Sequence, residues 1–306
     1  MTTPFKNILL IGATGSIGRY VLAALLAKPS LSVTVLRRAS STAPNDLPAN
    51  VRTITVPDDY PTDAVIAAFR GQDAVISCLT TLSVAAQFRL IDAAVTAGVR
   101  RYVPSEYGLN NMRADAQALS GVFRDKGAVQ AYLRAKADKG EIEWMSVSCG
   151  MWIKWSMRNN FLGMRIKERA FERWDGGVGR FSVTTEENTA LAVARALVEI
   201  PEDTKNRNVL VSEFVTTQAE LLAEIERQLR QKLNVAEVDG RKRIAELKEA
   251  EAGGDGTAAY GLIEAGFVTG RYGSDLEKEG ELFTDKLGLK RHSLEEVVAD
   301  ALASVQ

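Results

Sequence analysis

Along the first half of the chain, short apolar runs alternate with stretches of helical periodicity. Ile8-Leu9-Leu10-Ile11 is unbroken apolar sequence, followed by a glycine segment and then by apolar residues at helical spacing over 17–27. Further strands are expected at 33–36, 51–56, 74–76, 101–103 and 142–147, with helices near 62–69, 85–97 and 122–139. Strands alternating with helices imply βαβ units, and right-handed crossovers build them into a doubly wound parallel sheet. The fold class expected is therefore α/β, a Rossmann-type sheet with a smaller mixed α/β lobe. The rhythm breaks after residue 150. Segment 151–180 is rich in Trp, Arg, Met and Gly and shows no clear strand. Beyond it come a helix over 187–199, a short strand at 208–211, a long amphipathic helix over 217–232, a glycine-rich stretch over 252–280 and a closing helix over 294–302. The division this suggests is a nucleotide-binding domain over 1–150 and a substrate-binding lobe over 151–306, with parts of 181–215 able to return to the sheet.

The glycine segment carries the first chemistry. Gly12-Ala13-Thr14-Gly15-Ser16-Ile17-Gly18 lies between a buried strand and an amphipathic helix. In that setting Gly12 permits the tight turn, Gly15 lets backbone approach a pyrophosphate, and Gly18 lets helix pack on strand. Thr14, Ser16 and Ile17 complete the loop at a helix N-terminus, whose free N–H groups and dipole favour an anion. The next strand ends Leu36-Arg37-Arg38-Ala39-Ser40-Ser41. A site selective for NAD usually has Asp or Glu there for the ribose 2′-hydroxyl. Arg37, Arg38 and Ser40 suit a 2′-phosphate instead, so NADP(H) is the cofactor expected. Cys78-Leu79-Thr80 leaves the fourth strand where backbone commonly passes the cofactor.

Composition removes several rivals. The chain has 306 residues, a formal net charge of −1 and 25% charged residues, so nothing forecasts a nucleic-acid partner. No run approaches the roughly 20 apolar residues of a membrane span. Two cysteines, Cys78 and Cys149, both at the ends of expected buried strands, argue against a disulfide scaffold. A soluble, cytoplasmic monomer or homodimer acting on a small molecule is expected. The one histidine, His292, stands beside Ser293 at the start of the last helix, which excludes histidine triads and multi-histidine metal sites, so no metal is expected. Cys78 without a histidine beside it is a poor nucleophile.

Arg101-Tyr102-Val103-Pro104-Ser105-Glu106-Tyr107-Gly108, together with the GATGSIG turn and a lysine on the next helix, resembles the NmrA-like and isoflavone reductase-like branch of atypical short-chain dehydrogenases, fungal members above all. The resemblance covers most of the chain and is strongest over 5–160. It implies a Rossmann domain, NADP(H), often reduction of aromatic or alkaloid secondary metabolites, and a catalytic lysine that matches Lys126. Helical spacing puts Lys126 on the face of Val122, Val129 and Leu133, toward the core. There it could bind the nicotinamide ribose or donate a proton, or extend its stem to solvent. Where standard short-chain dehydrogenases carry a tyrosine, one turn before the lysine, this chain has Val122. Any proton donor is then Lys126, Tyr107, another pocket residue or the substrate. Relatives place a glycine and an aromatic near the nicotinamide after the sixth strand; Gly150-Met151-Trp152 matches, which puts Met151 beside the cofactor. Trp152 and Trp155 suit a flat aromatic substrate, or pack the core. Glu106 reads as a loop-ordering carboxylate rather than an acid–base group. The leading reading is an NADPH-dependent reductase. Two rivals stand beside it: a redox-neutral isomerase or rearrangement enzyme that keeps NADP(H) bound, and a dinucleotide-sensing regulator.

Overall fold

A computed structural model describes residues 4–41, 47–48 and 51–305. In the first half, β1 (Asn7–Ile11), α1 (Gly18–Leu26), β2 (Ser32–Arg38), β3 (Arg52–Val56), α2 (Thr62–Phe69), β4 (Ala74–Ser77), α3 (Ala86–Thr96), β5 (Arg101–Val103), α4 (Ala114–Leu119), α5 (Gly121–Asp138) and β6 (Glu143–Ser148) succeed one another. The second half adds α6 (Ile153–Arg158), β7 (Met164–Arg165), β8 (Ala170–Trp174), β9 (Arg180–Val183), α7 (Glu186–Val198), β10 (Arg207–Leu210), β11 (Phe214–Thr217), α8 (Gln218–Leu229), β12 (Asn234–Val238), α9 (Gly240–Ala252), α10 (Ala258–Val268) and α11 (Leu294–Ala303).

Seven strands form one sheet in the order β10-β6-β5-β4-β1-β2-β3. The pairings from β3 through β6 are parallel, with Ile11 opposite Leu36 on one side and Ser77 on the other. Consecutive strands wind outward in both directions from β1, so the order reverses between β1 and β4. In such sheets the crevice for a ligand opens at the carboxyl ends of those two strands. The central strands are covered on both faces, which is why they read as continuous apolar runs. Ile8, Leu9, Leu10 and Ile11 are all fully buried, each stabilising the fold by roughly 1.5–3 kcal/mol.

The chain divides into two compact units: residues 1–106, 128–147 and 189–209 in the first, and 107–127, 148–188 and 210–306 in the second. The first unit packs Leu9, Ile11, Val75, Tyr102, Val129, Leu133 and Trp144 into its core. Residues 107–127 thus cluster with the second unit, and 189–209 rejoin the first. The second unit holds a three-stranded sheet, β12-β8-β7, and a two-stranded antiparallel one, β11-β9. Its core includes Phe123, Met157, Phe171, Trp174, Phe181 and Leu262. Capping boxes start two of its helices, Thr217 with Glu220 on α8 and Ser293 with Glu296 on α11, each worth about 1 kcal/mol.

The expectation of no strand over 151–180 is wrong, since β7 and β8 fall there and β9 starts at its last residue. The physical reason lies in β8, where Glu172 and Arg173 interrupt any apolar alternation. Their charges are met across the sheet by Arg165, at 3.3 Å from Glu172, and by Glu237. The glycine-rich stretch over 252–280 also holds a helix, α10. Its Gly261 and Gly266 sit where an added Cβ would lie 2.7 Å from Leu247 and from Phe123 respectively, so they allow close packing.

Candidate functional site

The glycine turn is built by two close approaches. Gly12 has φ +77° and lies so near β4 that a Cβ would stand 2.5 Å from the Cys78 carbonyl oxygen. At Gly18 a Cβ would stand 1.9 Å from the Gly12 oxygen. Any side chain at either position would push α1 away from the sheet. At Gly15 the nearest atom to a Cβ is the Gly12 oxygen at 3.3 Å, and Thr14, Gly15 and Ser16 are exposed while Ile17 is buried. The first turn of α1 contains no acidic residue and receives no side-chain cap. The Gly15 amide closes the turn on the Gly12 carbonyl at 3.0 Å, and the Tyr20 amide meets Ile17 O at 3.0 Å. The helix dipole at this exposed turn favours a bound anion.

Arg37 and Arg38 end β2, opposite Thr55 and Val56 of β3. Arg37 donates to the Ser41 carbonyl at 2.9 Å, and Arg38 is exposed. The turn after β3 supplies an acid that the sequence of β2 alone does not reveal: Asp58 accepts from the Ser40 amide at 2.9 Å. That hydrogen bond, helped by the Arg38 charge, holds the Asp58 carboxyl below the usual carboxylate range. The acid therefore shapes the arginine turn from a neighbouring strand. Its signal in the sequence is Pro57-Asp58-Asp59-Tyr60, a turn composition directly after β3.

Cys78, Leu79 and Thr80 leave the end of β4. Cys78 is buried, with its amide on the Ile11 carbonyl at 2.9 Å, and neither cysteine is in a disulfide. The Thr80 and Ser83 hydroxyls lie 3.3 Å apart. Ser105 fixes the segment: its Oγ donates to the Leu79 carbonyl at 2.8 Å, and its amide donates to Gln87 Oε1 at 2.8 Å. Glu106 is completely buried and accepts from Gln130 Nε2 at 2.7 Å. Gln130 Oε1 lies 3.4 Å from the Ser146 hydroxyl, which lies 2.9 Å from Asn208. A carboxylate held in such a chain orders its loop.

Lys126 is 8% exposed, on the face of α5 that also buries Val122, Val129, Gln130 and Leu133. Its stem does not run out over the surface. Tyr107 has φ +43°, an uncommon conformation for a residue with a Cβ, and is partly buried. Met151 forms a parallel bridge with Val183, its amide on the Ser182 carbonyl at 2.9 Å. Trp152 is partly buried at the N-terminal end of α6. Trp155 packs edge-to-face on Phe161, ring centres 5.5 Å apart, against the core of the second unit.

A second polar centre is invisible in the sequence. Glu213 is buried and collects donors from three places in the chain. Its Oε1 accepts from the Thr185 amide at 2.8 Å, the Thr185 hydroxyl at 2.7 Å and Asn188 Nδ2 at 2.7 Å. Its Oε2 accepts from the His292 amide at 3.1 Å and lies 2.5 Å from His292 Nδ1. The sole histidine thus anchors the segment leading into α11. Among the described residues, no group of His, Cys, Asp and Glu side chains is placed to hold a metal ion, and no helix is long and apolar enough to cross a membrane.

The model of the NmrA-like family matches residues 4–296. The chain is 34% identical to the oxidoreductase aprR of Aspergillus flavus, over 78% of this chain and 80% of that protein. Its fold superposes on the crystal structure of an isoflavone reductase with a TM-score of 0.76, at 20% identity, over 96% of this chain and 98% of the other. It also superposes on leucoanthocyanidin reductase from Vitis vinifera in binary complex with NADPH, TM-score 0.73 at 18% identity, over 97% and 99% of the two chains. At those identities the structural likeness speaks for the fold alone.

Proposed function

Since the chain belongs to the NmrA-like family, we propose that it is an NADPH-dependent reductase acting on an aromatic or alkaloid-type secondary metabolite. The observation that carries the reading is the open glycine turn at the carboxyl ends of β1 and β4. Its exposed Thr14-Gly15-Ser16 backbone and uncapped helix start fit a pyrophosphate. Ile17 and Gly18 hold that start against the sheet. Arg37, Arg38 and Ser40 would take the 2′-phosphate, with Asp58 holding the Ser40 amide in place. Cys78, Leu79, Thr80 and Met151 would flank the remainder of the cofactor. The names of the relatives support oxidation–reduction rather than sensing.

When bound, the dinucleotide supplies hydride. The protein's part is to orient, exclude water and manage a proton. Lys126, 8% exposed on α5, is the residue assigned to that proton. Tyr107 and Trp152 would hold an aromatic substrate. Trp155, already packed on Phe161, supports that wall.

The deciding experiment uses NADPH deuterated at the transferable position, with conjugated aromatic carbonyl, enol-ether and imine compounds as candidate substrates. A reductase moves deuterium into product and oxidises the cofactor in a one-to-one ratio. Product formed without cofactor oxidation would instead identify a redox-neutral rearrangement.

A further inference from the structure

The second unit contains a cavity of about 260 Å³ that none of the chemistry above uses. It is bordered by α6, the start of α7 and the start of α11. Its charged lining is strongly unbalanced: Glu186, Glu187, Glu296 and Asp300 face one lysine, Lys154, and His292. Most of these groups already have partners. Asp300 is paired with Lys154 at 2.8 Å, Glu296 caps α11, and His292 is held by Glu213.

Glu186 is different. It is 4% exposed, yet it lines the cavity. Burial pushes the Glu186 carboxyl up, with Glu187 and Asp300 adding to the effect and Lys154 opposing it. The dipole of α7, in whose first turn Glu186 stands, favours the anion. Facing it are the apolar side chains of Ile153 and Val297. An anionic anchor, a short apolar wall and limited volume are the features of a site for a small amphiphilic cation. The apolar wall of Ile153 and Val297 suits a cation that carries a hydrocarbon stem.

We propose that this cavity binds a short aliphatic ammonium ion, with its charge on the Glu186 carboxylate and its hydrocarbon stem against Ile153 and Val297. The site is independent of the dinucleotide reading, because every residue that builds it belongs to the second unit.

Saturation-transfer NMR on the full chain tests it, with n-butylammonium as probe and 1-butanol, butyrate and Mg²⁺ as comparisons. Butylammonium should bind with a Kd on the order of 1 mM, the range open to so small a ligand. Butanol and butyrate should bind far more weakly. Glu186→Gln should weaken butylammonium by about 10-fold or more, whereas Glu187→Gln, an equal change in formal charge at an exposed neighbour, should change it about 2-fold. Binding should decline as pH falls and Glu186 takes up its proton. Gly15→Val should leave it untouched, so that failure of this site and failure of the cofactor reading show separately. Equal binding of butyrate, displacement by Mg²⁺, or undiminished affinity in Glu186→Gln overturns the proposal. Should Glu186→Gln lose its fold, Val297→Phe carries the test by filling the cavity from its apolar side, and unchanged binding there also overturns it.

Discussion

Two glycines in this chain come after strands of the same sheet and adopt the same kind of backbone. Gly12 after β1 has φ +77°, and Gly150 after β6 has φ +68°. Each is pressed against a carbonyl, with a Cβ at 2.5 Å from Cys78 O in one case and 2.1 Å from Ser182 O in the other. The chain just beyond them differs. After Gly12, Ala13 is buried, residues 14–16 are exposed with one turn bond from the Gly15 amide to Gly12 O, and the chain runs into an uncapped helix. After Gly150 the backbone is consumed: the Gly150 amide meets Gly108 O at 3.0 Å, the Met151 amide meets Ser182 O at 2.9 Å, and the Thr184 amide meets Met151 O at 3.2 Å. A glycine after a strand therefore signals a tight turn in both places. Only where the following residues stay exposed at an uncapped helix start does it also point to an anion.

That contrast can be broken or sharpened by mutation. The largest effect is expected from Lys126→Ala, which leaves both turns intact: turnover should fall about 10²–10⁴-fold, the range of a positioned acid–base group, while NADPH affinity changes little. Single-turnover kinetics beside a nucleotide titration separate the two, and unchanged turnover would remove Lys126 from the chemistry. Next comes Gly15→Val. A β-branched side chain in the open turn should cut NADPH affinity by more than about 100-fold while circular dichroism and melting temperature stay near wild type. Normal binding in that variant would mean the turn has been assigned wrongly.

Gly150→Ala should behave in the opposite way. Forcing a Cβ into a left-handed, occupied position should cost about 2–4 kcal/mol of stability. Denaturant titration reads the loss, and protein that remains folded should keep its cofactor affinity. A stable Gly150→Ala variant with weakened NADPH binding would erase the distinction between the turns. The smallest effect belongs to Arg38→Ala, which should reduce the preference for NADPH over NADH by roughly 1.5–3 kcal/mol. Calorimetry with both nucleotides measures it; equal wild-type affinities would rule out a 2′-phosphate site at the β2 end.

The first unit is legible in the sequence because its strands are buried on both faces and announce themselves as apolar runs, as at residues 8–11 and 74–76. Lys126 can be placed on a buried face for a similar reason, since Val122, Val129 and Leu133 recur at helical spacing around it. The second unit hides its strands. β8 carries Glu172 and Arg173 within five residues, and their meaning rests on Arg165 and Glu237. The polar centres are hidden by distance along the chain. Arg101, fully buried, meets Glu143 at 2.7 Å across 42 residues, and Glu213 meets His292 across 79. No local pattern marks a residue whose partner lies so far away. Asp58 lies between these extremes, close enough in sequence to be noticed but needing the β2–β3 pairing to reach Ser40.

The interleaving of the two units bears on how the protein is made. The growing chain leaves the first unit after residue 106, visits it again over 128–147, and supplies its last piece only at 189–209. Until β10 emerges from the ribosome, β6 is an edge strand with unpaired backbone groups, the kind of surface that recruits other strands. By then the larger part of the second unit, 210–306, with Glu213 and its donor His292, is still to be synthesised. A ribosome paused between residues 150 and 200 would therefore expose two unfinished structures at once. Synthesis speed through that stretch, rather than the strength of any one contact, would then set how much of the chain escapes aggregation.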